Sequence, residues 1–179
     1  ELSGQLSSFV LLGDSGAGKS VALARMALQQ AIAVQSGTVS LHLPVLVPLE
    51  RCPPLSRPEK FLAQYLAEPD SMSFPLHQQL SLSLRERLHN GQLLLLLDGF
   101  DKLPTQFFNL SLKRWREFIV KYGENGRGNR IIVSTRHDEL TYGTGLPVVC
   151  LRPLTDENKR LVLAQHLNME DLAGLWAEL

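Results

Sequence analysis

The chain carries one octapeptide rich in glycine, Gly13-Asp14-Ser15-Gly16-Ala17-Gly18-Lys19-Ser20. It satisfies the pattern GxxxxGK[ST] at every fixed position. A short apolar run, residues 9–12, precedes it, and residues 20–34 form an Ala/Leu-rich stretch with helical spacing. The sequence therefore predicts a strand, a glycine-rich turn and a helix in that order, which is the context in which the pattern has chemical meaning.

Residues 13–20 have the composition of a phosphate-binding loop. Glycines let main-chain N–H groups turn inward around phosphate oxygens, and the free amides at the start of the helix add partial positive charge. Lys19 is expected to reach the β- and γ-phosphates of a nucleotide, and the Ser20 hydroxyl is expected to be a ligand of Mg²⁺. The alternative, a glycine-rich turn that binds nothing, is disfavoured because motif and context agree.

Apolar runs alternate with helical stretches along the rest of the chain. The predicted strands are residues 9–12, 38–49, 93–97, 130–134 and 148–151. The predicted helices are residues 20–34, 59–67, 75–89, 110–122, 155–167 and 169–179. Pro44 and Pro48 place the second strand at an edge. This alternation predicts an α/β fold with a doubly wound parallel sheet, whose ligands bind at the carboxyl ends of the strands.

Two aspartates follow the most apolar of the predicted strands. Residues 93–97 followed by Asp98 have the form of a Walker B strand, so Asp98 is expected to hold Mg²⁺. Asp98 could instead cap the following turn. Asp101 could orient or deprotonate an attacking water, or be a turn residue.

The strand predicted at residues 130–134 leads into Thr135 and Arg136. This end of the strand should lie near a bound γ-phosphate, so Arg136 is a candidate phosphate sensor. A solvated surface arginine is the alternative.

Composition limits the kind of partner. Eighteen Lys and Arg residues balance eighteen Asp and Glu residues, so no overall field favours nucleic acid or an anionic membrane. The longest apolar run, residues 93–97, is far shorter than the roughly twenty residues of a membrane span.

Cys52 and Cys150 form no CxxC pattern, which favours a cytoplasmic protein with reduced thiols. Because the first residue is not Met and the last residues resemble a helix, we expect a piece of a longer protein.

Taken together, residues 13–20, 93–102 and 130–136 resemble the NACHT family of STAND-class P-loop NTPases. Residues 43–49 look like that family's second strand, and Asp98-Gly99-Phe100-Asp101 is similar to its DGxD signature. The resemblance implies a five-stranded parallel sheet of order 5-1-4-3-2 between helices. It also implies a nucleotide-binding domain over residues 1–153, with residues 154–179 beginning a further helical region.

The resemblance further implies an ATP/ADP-regulated switch in a larger NLR-like signalling protein of the innate-immunity type. Effector and sensor domains would lie outside this chain, hydrolysis of ATP would be slow and Mg²⁺-dependent, and the bound nucleotide would control self-association. The residues carried over are Lys19 for the phosphates, Ser20 and Asp98 for Mg²⁺, Asp101 for water and Arg136 for the γ-phosphate. These roles agree with those expected from the motifs.

One residue departs from the family pattern. Lys102 stands where a glutamate often follows the second aspartate, and its charge would oppose Mg²⁺ unless it points to solvent. This departure favours one alternative, a pseudo-ATPase scaffold that binds nucleotide without turnover. A stand-alone P-loop ATPase or kinase is a further alternative, independent of Lys102. No NKxD-like guanine-reading element is visible, which favours ATP over GTP.

Overall fold

The computed structural model describes residues 8–37, 42–67, 83–137 and 139–152, together with Thr155 and Asn158. Both helices predicted beyond residue 154 therefore lie outside the described residues, apart from those two positions. The same is true of residues 38–41 in the predicted second strand and of residues 75–82 in the third predicted helix. No helix among the described residues is both long and apolar enough to cross a membrane.

A single parallel sheet forms the middle layer. Its strands are β1 Phe9–Leu12, β2 Leu43–Pro48, β3 Leu93–Asp98, β4 Arg130–Thr135 and β5 Val148–Cys150. They lie in the order β2-β3-β4-β1-β5, which confirms the predicted order 5-1-4-3-2. The proline-containing strand β2 is at one edge of the sheet. This agrees with the prediction, because proline has no N–H group to donate to a second neighbouring strand. In the β2–β3 register Pro48 lies opposite Asp98.

Within the described ranges, four helices cover the sheet. They are α1 Lys19–Gln35, α2 Pro58–Ala67, α3 at residues 83–89 and α4 Phe108–Tyr122. Each agrees with a predicted helix where the residues are described. Short 3-10 turns follow β2 and β3, at Leu49–Arg51 and Phe100–Lys102.

The core divides between the two faces of the sheet. Leu94 and Leu96 of β3 pack with Leu23 of α1, whereas Leu95 and Leu97 pack on the opposite face, with α2, α3 and α4. A strand covered on both faces needs no polar alternation, which is why residues 93–97 are all leucine. The sandwich holds the strand ends, and hence the side chains that follow them, in fixed positions.

Asn129 joins several elements at the amino end of the sheet. Its side chain is fully buried; Oδ1 accepts from Leu93 N–H at 3.1 Å, and Nδ2 donates to the carbonyls of Leu88 at 2.8 Å and Tyr122 at 2.7 Å. One amide thereby connects the start of β3 to the ends of α3 and α4. Buried polar groups that find all their partners are structural anchors rather than sites.

Candidate functional site

The glycine-rich loop joins β1 to α1 at the carboxyl end of the sheet. Gly16 and Gly18 have φ of 76° and 89°, in the left-handed region that favours glycine. A Cβ on either would meet no atom within 4 Å, so backbone conformation rather than crowding requires glycine there. Gly13 differs, because its Cβ would lie 3.3 Å from the carbonyl of Leu151, just after β5.

Lys19 folds back over this loop. Its Nζ donates to the carbonyl oxygen of Gly13 at 2.6 Å and to that of Asp14 at 2.8 Å. Asp14, Ser15 and Gly16 are exposed, and so is Ser20 on the first turn of α1. Two main-chain carbonyls therefore hold the ammonium at an open loop, and a phosphate would offer it stronger, charged acceptors.

Asp98 lies at the end of β3 and is connected to β4 by one hydroxyl. Ser134 Oγ donates to Asp98 Oδ1 at 2.5 Å and accepts from Gly99 N–H at 2.8 Å, and Ser134 is fully buried. The serine thus fixes both the carboxylate and the turn after it. Since a carboxylate has two oxygens, the bond to Oδ1 leaves acceptor capacity for a cation.

Asp101 and Arg136 form an ion pair. Arg136 Nε donates to Asp101 Oδ2 at 2.6 Å; the carboxylate side chain is only 7% exposed, whereas the arginine is 48% exposed. Two residues given separate roles by the sequence are therefore in contact. A guanidinium has five N–H donors, so Arg136 can keep Asp101 and still donate to a phosphate oxygen.

Lys102 neither points only to solvent nor lies unpaired beside Asp98. Its Nζ is 3.0 Å from Oε2 of Glu50, in the 3-10 turn after β2, and both side chains are about half exposed. The pKa of the Lys102 ammonium is raised, first by the hydrogen bond to Glu50 and further by the charges of Glu50, Asp98 and Asp101, against a lowering by desolvation. The lysine charge is thus compensated by a residue from another strand end.

Sequence reasoning missed Glu50. The signal available was its position two residues after β2, because β2 and β3 are neighbouring parallel strands and their carboxyl ends meet at one edge. That signal depends on the register and cannot be read from a local motif.

Other polar residues lie apart from these. Among the described residues no group of three His, Cys, Asp or Glu side chains could hold a metal ion. Both cysteines are free thiols, and burial raises the pKa of Cys52 to about 11. A groove of about 780 Å³ is lined by α2, α3 and α4 and by none of the loop residues.

The carboxyl end of the sheet fits a nucleotide with Mg²⁺. The loop is open, main-chain carbonyls hold its lysine, and Asp98 ends β3, which β4 separates from β1, with one carboxylate oxygen available. This combination of strand, glycine-rich loop and acidic strand end defines the chain as a P-loop NTPase domain.

Residues 7–170 match the family model of the NACHT domain. The chain belongs to the NACHT domain family. Membership implies a nucleotide-binding regulatory domain, typically with Mg²⁺. No sequence among curated proteins matches the chain.

Several solved structures are similar to the chain, among them the following two. The ORC1 protein of Aeropyrum pernix, solved in complex with DNA, is 19% identical with a TM-score of 0.54, over 95% of this chain and 44% of that one. A STAND protein of Pyrococcus horikoshii with a tetratricopeptide repeat sensor is 15% identical with a TM-score of 0.41, over 96% of this chain and 25% of that one. The chain thus spans less than half the length of either protein. The similarity to the ORC1 structure supports the fold.

Proposed function

We propose that this chain is the nucleotide-controlled switch domain of a larger signalling protein. It binds ATP or ADP with Mg²⁺, hydrolyses ATP slowly, and self-associates according to the nucleotide bound. The observation that carries the proposal is the Arg136–Asp101 ion pair, because it gives the domain a polar contact that a γ-phosphate can compete for or extend.

The geometry of the strand ends supports the residue roles that we propose. Main-chain amides of residues 13–18 and the Lys19 ammonium hold the phosphates. Ser20 and Asp98 are the protein's Mg²⁺ ligands, and Ser134 holds Asp98 in place. Bound Mg²⁺ would neutralise charge on the phosphate oxygens.

Hydrolysis is slow because the candidate water-directing group is occupied. Asp101 is nearly buried and accepts a hydrogen bond from Arg136 at Oδ2, so an attacking water has to bind at the other carboxylate oxygen, on a side chain that is almost closed to solvent. The same observation favours a second candidate function, a pseudo-ATPase that binds nucleotide without turnover. Single-turnover measurement of ATP cleavage separates the two, since only the first predicts product formation.

Family membership supports a proposal about the wider context of the switch. We propose that effector and sensor domains act on it from elsewhere in a cytoplasmic, NLR-like protein of the innate-immunity type. Residues 1–153 would form the nucleotide-binding domain and residues 154–179 would begin the next helical region. Light scattering of the full chain with ATP or ADP tests whether nucleotide controls self-association.

Nucleotide binding itself is tested with Lys19→Ala. Loss of a charge-assisted hydrogen bond should weaken binding of ATP and ADP by about ten- to a hundredfold in calorimetry at millimolar Mg²⁺. Lys121→Ala is the matched control, because this lysine is on α4 and pairs with Glu59. The proposal fails if the unmodified chain gives no binding heat with either nucleotide, or if Lys19→Ala binds both as well as the control does.

A further inference from the structure

Lys102 lies over the turn that follows Asp98. A Cβ built on Gly99 would be 3.0 Å from Cδ of Lys102 and 3.3 Å from its Cγ and Cε, so the aliphatic chain packs against that glycine. Gly99 N–H is in turn bonded to Ser134 Oγ, which donates to Asp98. The lysine is therefore part of the structure that surrounds the Asp98 carboxylate.

The lysine charge acts on three carboxylates. Glu50 is the hydrogen-bonded partner at 3.0 Å, and the charges of Asp98 and Asp101 also act on the ammonium. Arg136 already pairs with Asp101, which leaves Asp98 as the next carboxylate whose charge acts on the ammonium. Without Glu50, the positive charge would fall mainly on the carboxylate assigned to Mg²⁺.

We propose that Glu50 is a positioning residue for Mg²⁺–nucleotide binding: by pairing with Lys102 it directs the ammonium toward the end of β2 and leaves Asp98 available to the metal. This inference rests on the proposed function. It gives the chain a carboxylate from the neighbouring strand end that offsets the lysine at position 102. Glu50 need not touch nucleotide or metal for this effect.

The topology supports a dedicated pairing of these two residues. Pro48 lies opposite Asp98 in the β2–β3 register, and a 3-10 turn follows each strand. Glu50 and Lys102 each lie within one of these turns, so the pair joins two adjacent turns at the site. A half-exposed ion pair contributes little to stability, and its value here is to direct charge.

Glu50→Gln tests the inference through the metal dependence of binding. The full chain is titrated with Mg²⁺ in the presence of a non-hydrolysable ATP analogue, and analogue binding is also measured in EDTA. The Mg²⁺ concentration at half-saturation should rise about two- to fivefold, the range expected for an exposed ion pair. Binding in EDTA should be unchanged or tighter, because the uncompensated lysine repels a cation but attracts the phosphates.

Lys102→Met supplies the second arm. In that background Glu50→Gln should leave the Mg²⁺ half-saturation point unchanged, because no ammonium remains to be redirected. Glu59→Gln is the matched control, since Glu59 forms a comparable exposed pair with Lys121 on α4, and it should alter neither measurement.

Two outcomes overturn the inference. One is equal weakening by Glu50→Gln with Mg²⁺ and in EDTA, which would indicate a general structural effect. The other is a rise in the Mg²⁺ half-saturation point by Glu50→Gln that is equally large in the Lys102→Met background. Failure of the proposed function looks different, because the unmodified chain would then bind no analogue under either condition.

Discussion

The two ends of the sheet satisfy their polar groups differently. At the amino end, the neutral Asn129 amide is fully buried and is hydrogen-bonded to main-chain groups of Leu93, Leu88 and Tyr122. At the carboxyl end, Asp98, Asp101 and Lys102 are charged, and each is held by another side chain. At the amino end, the hydrogen-bond partners are main-chain groups that separate only when the domain unfolds. At the carboxyl end, the partners are side chains that can exchange one partner for another.

Because of this difference, the amino end of the sheet can maintain stability while the contacts at the carboxyl end change. Main-chain partners are fixed by secondary structure, so the Asn129 contacts last as long as the sheet does. The Lys102–Glu50 ion pair is half exposed and costs little to rearrange, and Arg136 is itself half exposed although its partner Asp101 is nearly buried. A ligand that competes for Arg136 or Lys102 can thus change the carboxyl end while the amino end keeps the strands in register.

Asn129→Ala gives the largest expected effect. It leaves the N–H of Leu93 and the carbonyl of Leu88 without this partner, whereas the carbonyl of Tyr122 keeps the main-chain N–H of residue 129, so the free energy of unfolding should fall by about 3–4 kcal/mol. Urea denaturation measures this change. Asn125→Ala, at an exposed loop position nearby, should stay within about 0.5 kcal/mol of the unmodified chain. Equal stability of the two variants would contradict the view of the amino end as the anchor.

A pair of serine variants compares the two ends directly. Ser134→Ala removes the donor to Asp98, and Ser8→Ala removes the acceptor of Ile131 N–H at the amino end; both hydroxyls are buried. Each should lower the free energy of unfolding by about 1–2 kcal/mol. Only Ser134→Ala should also shift the Mg²⁺ dependence of nucleotide binding, as followed by titration with a fluorescent ATP analogue. A similar shift with Ser8→Ala would remove the distinction between the ends.

What could be predicted from the sequence divides between local patterns and contacts that join distant residues. The loop at residues 13–20, Asp98 and the strand order were accessible because a local motif, an apolar run and a family resemblance indicated them. The structure confirms the strand order, whereas the residue roles stay predictions. The contacts between distant residues were not accessible.

Those missed contacts join residues far apart in the chain. Glu50 and Lys102 are separated by 52 residues, Arg136 and Asp101 by 35, and Asn129 and Leu93 by 36. Each depends on which strands are neighbours and in what register, and a shift of one residue would reverse which face a side chain occupies. No single-segment pattern contains that information.

The smallest expected effect concerns the arginine at the carboxyl end of β4. Arg136→Gln should lower the preference for ATP over ADP by about fivefold, because an exposed guanidinium contributes less than a buried one to a charge-assisted bond with the γ-phosphate. Arg130→Gln, at the amino end of the same strand, is the control and should leave that preference unchanged. Competition between the two nucleotides for a fluorescent analogue measures the ratio. If both variants shift it equally, general loss of positive charge explains the result; if neither does, Arg136 holds Asp101 and does not sense the nucleotide.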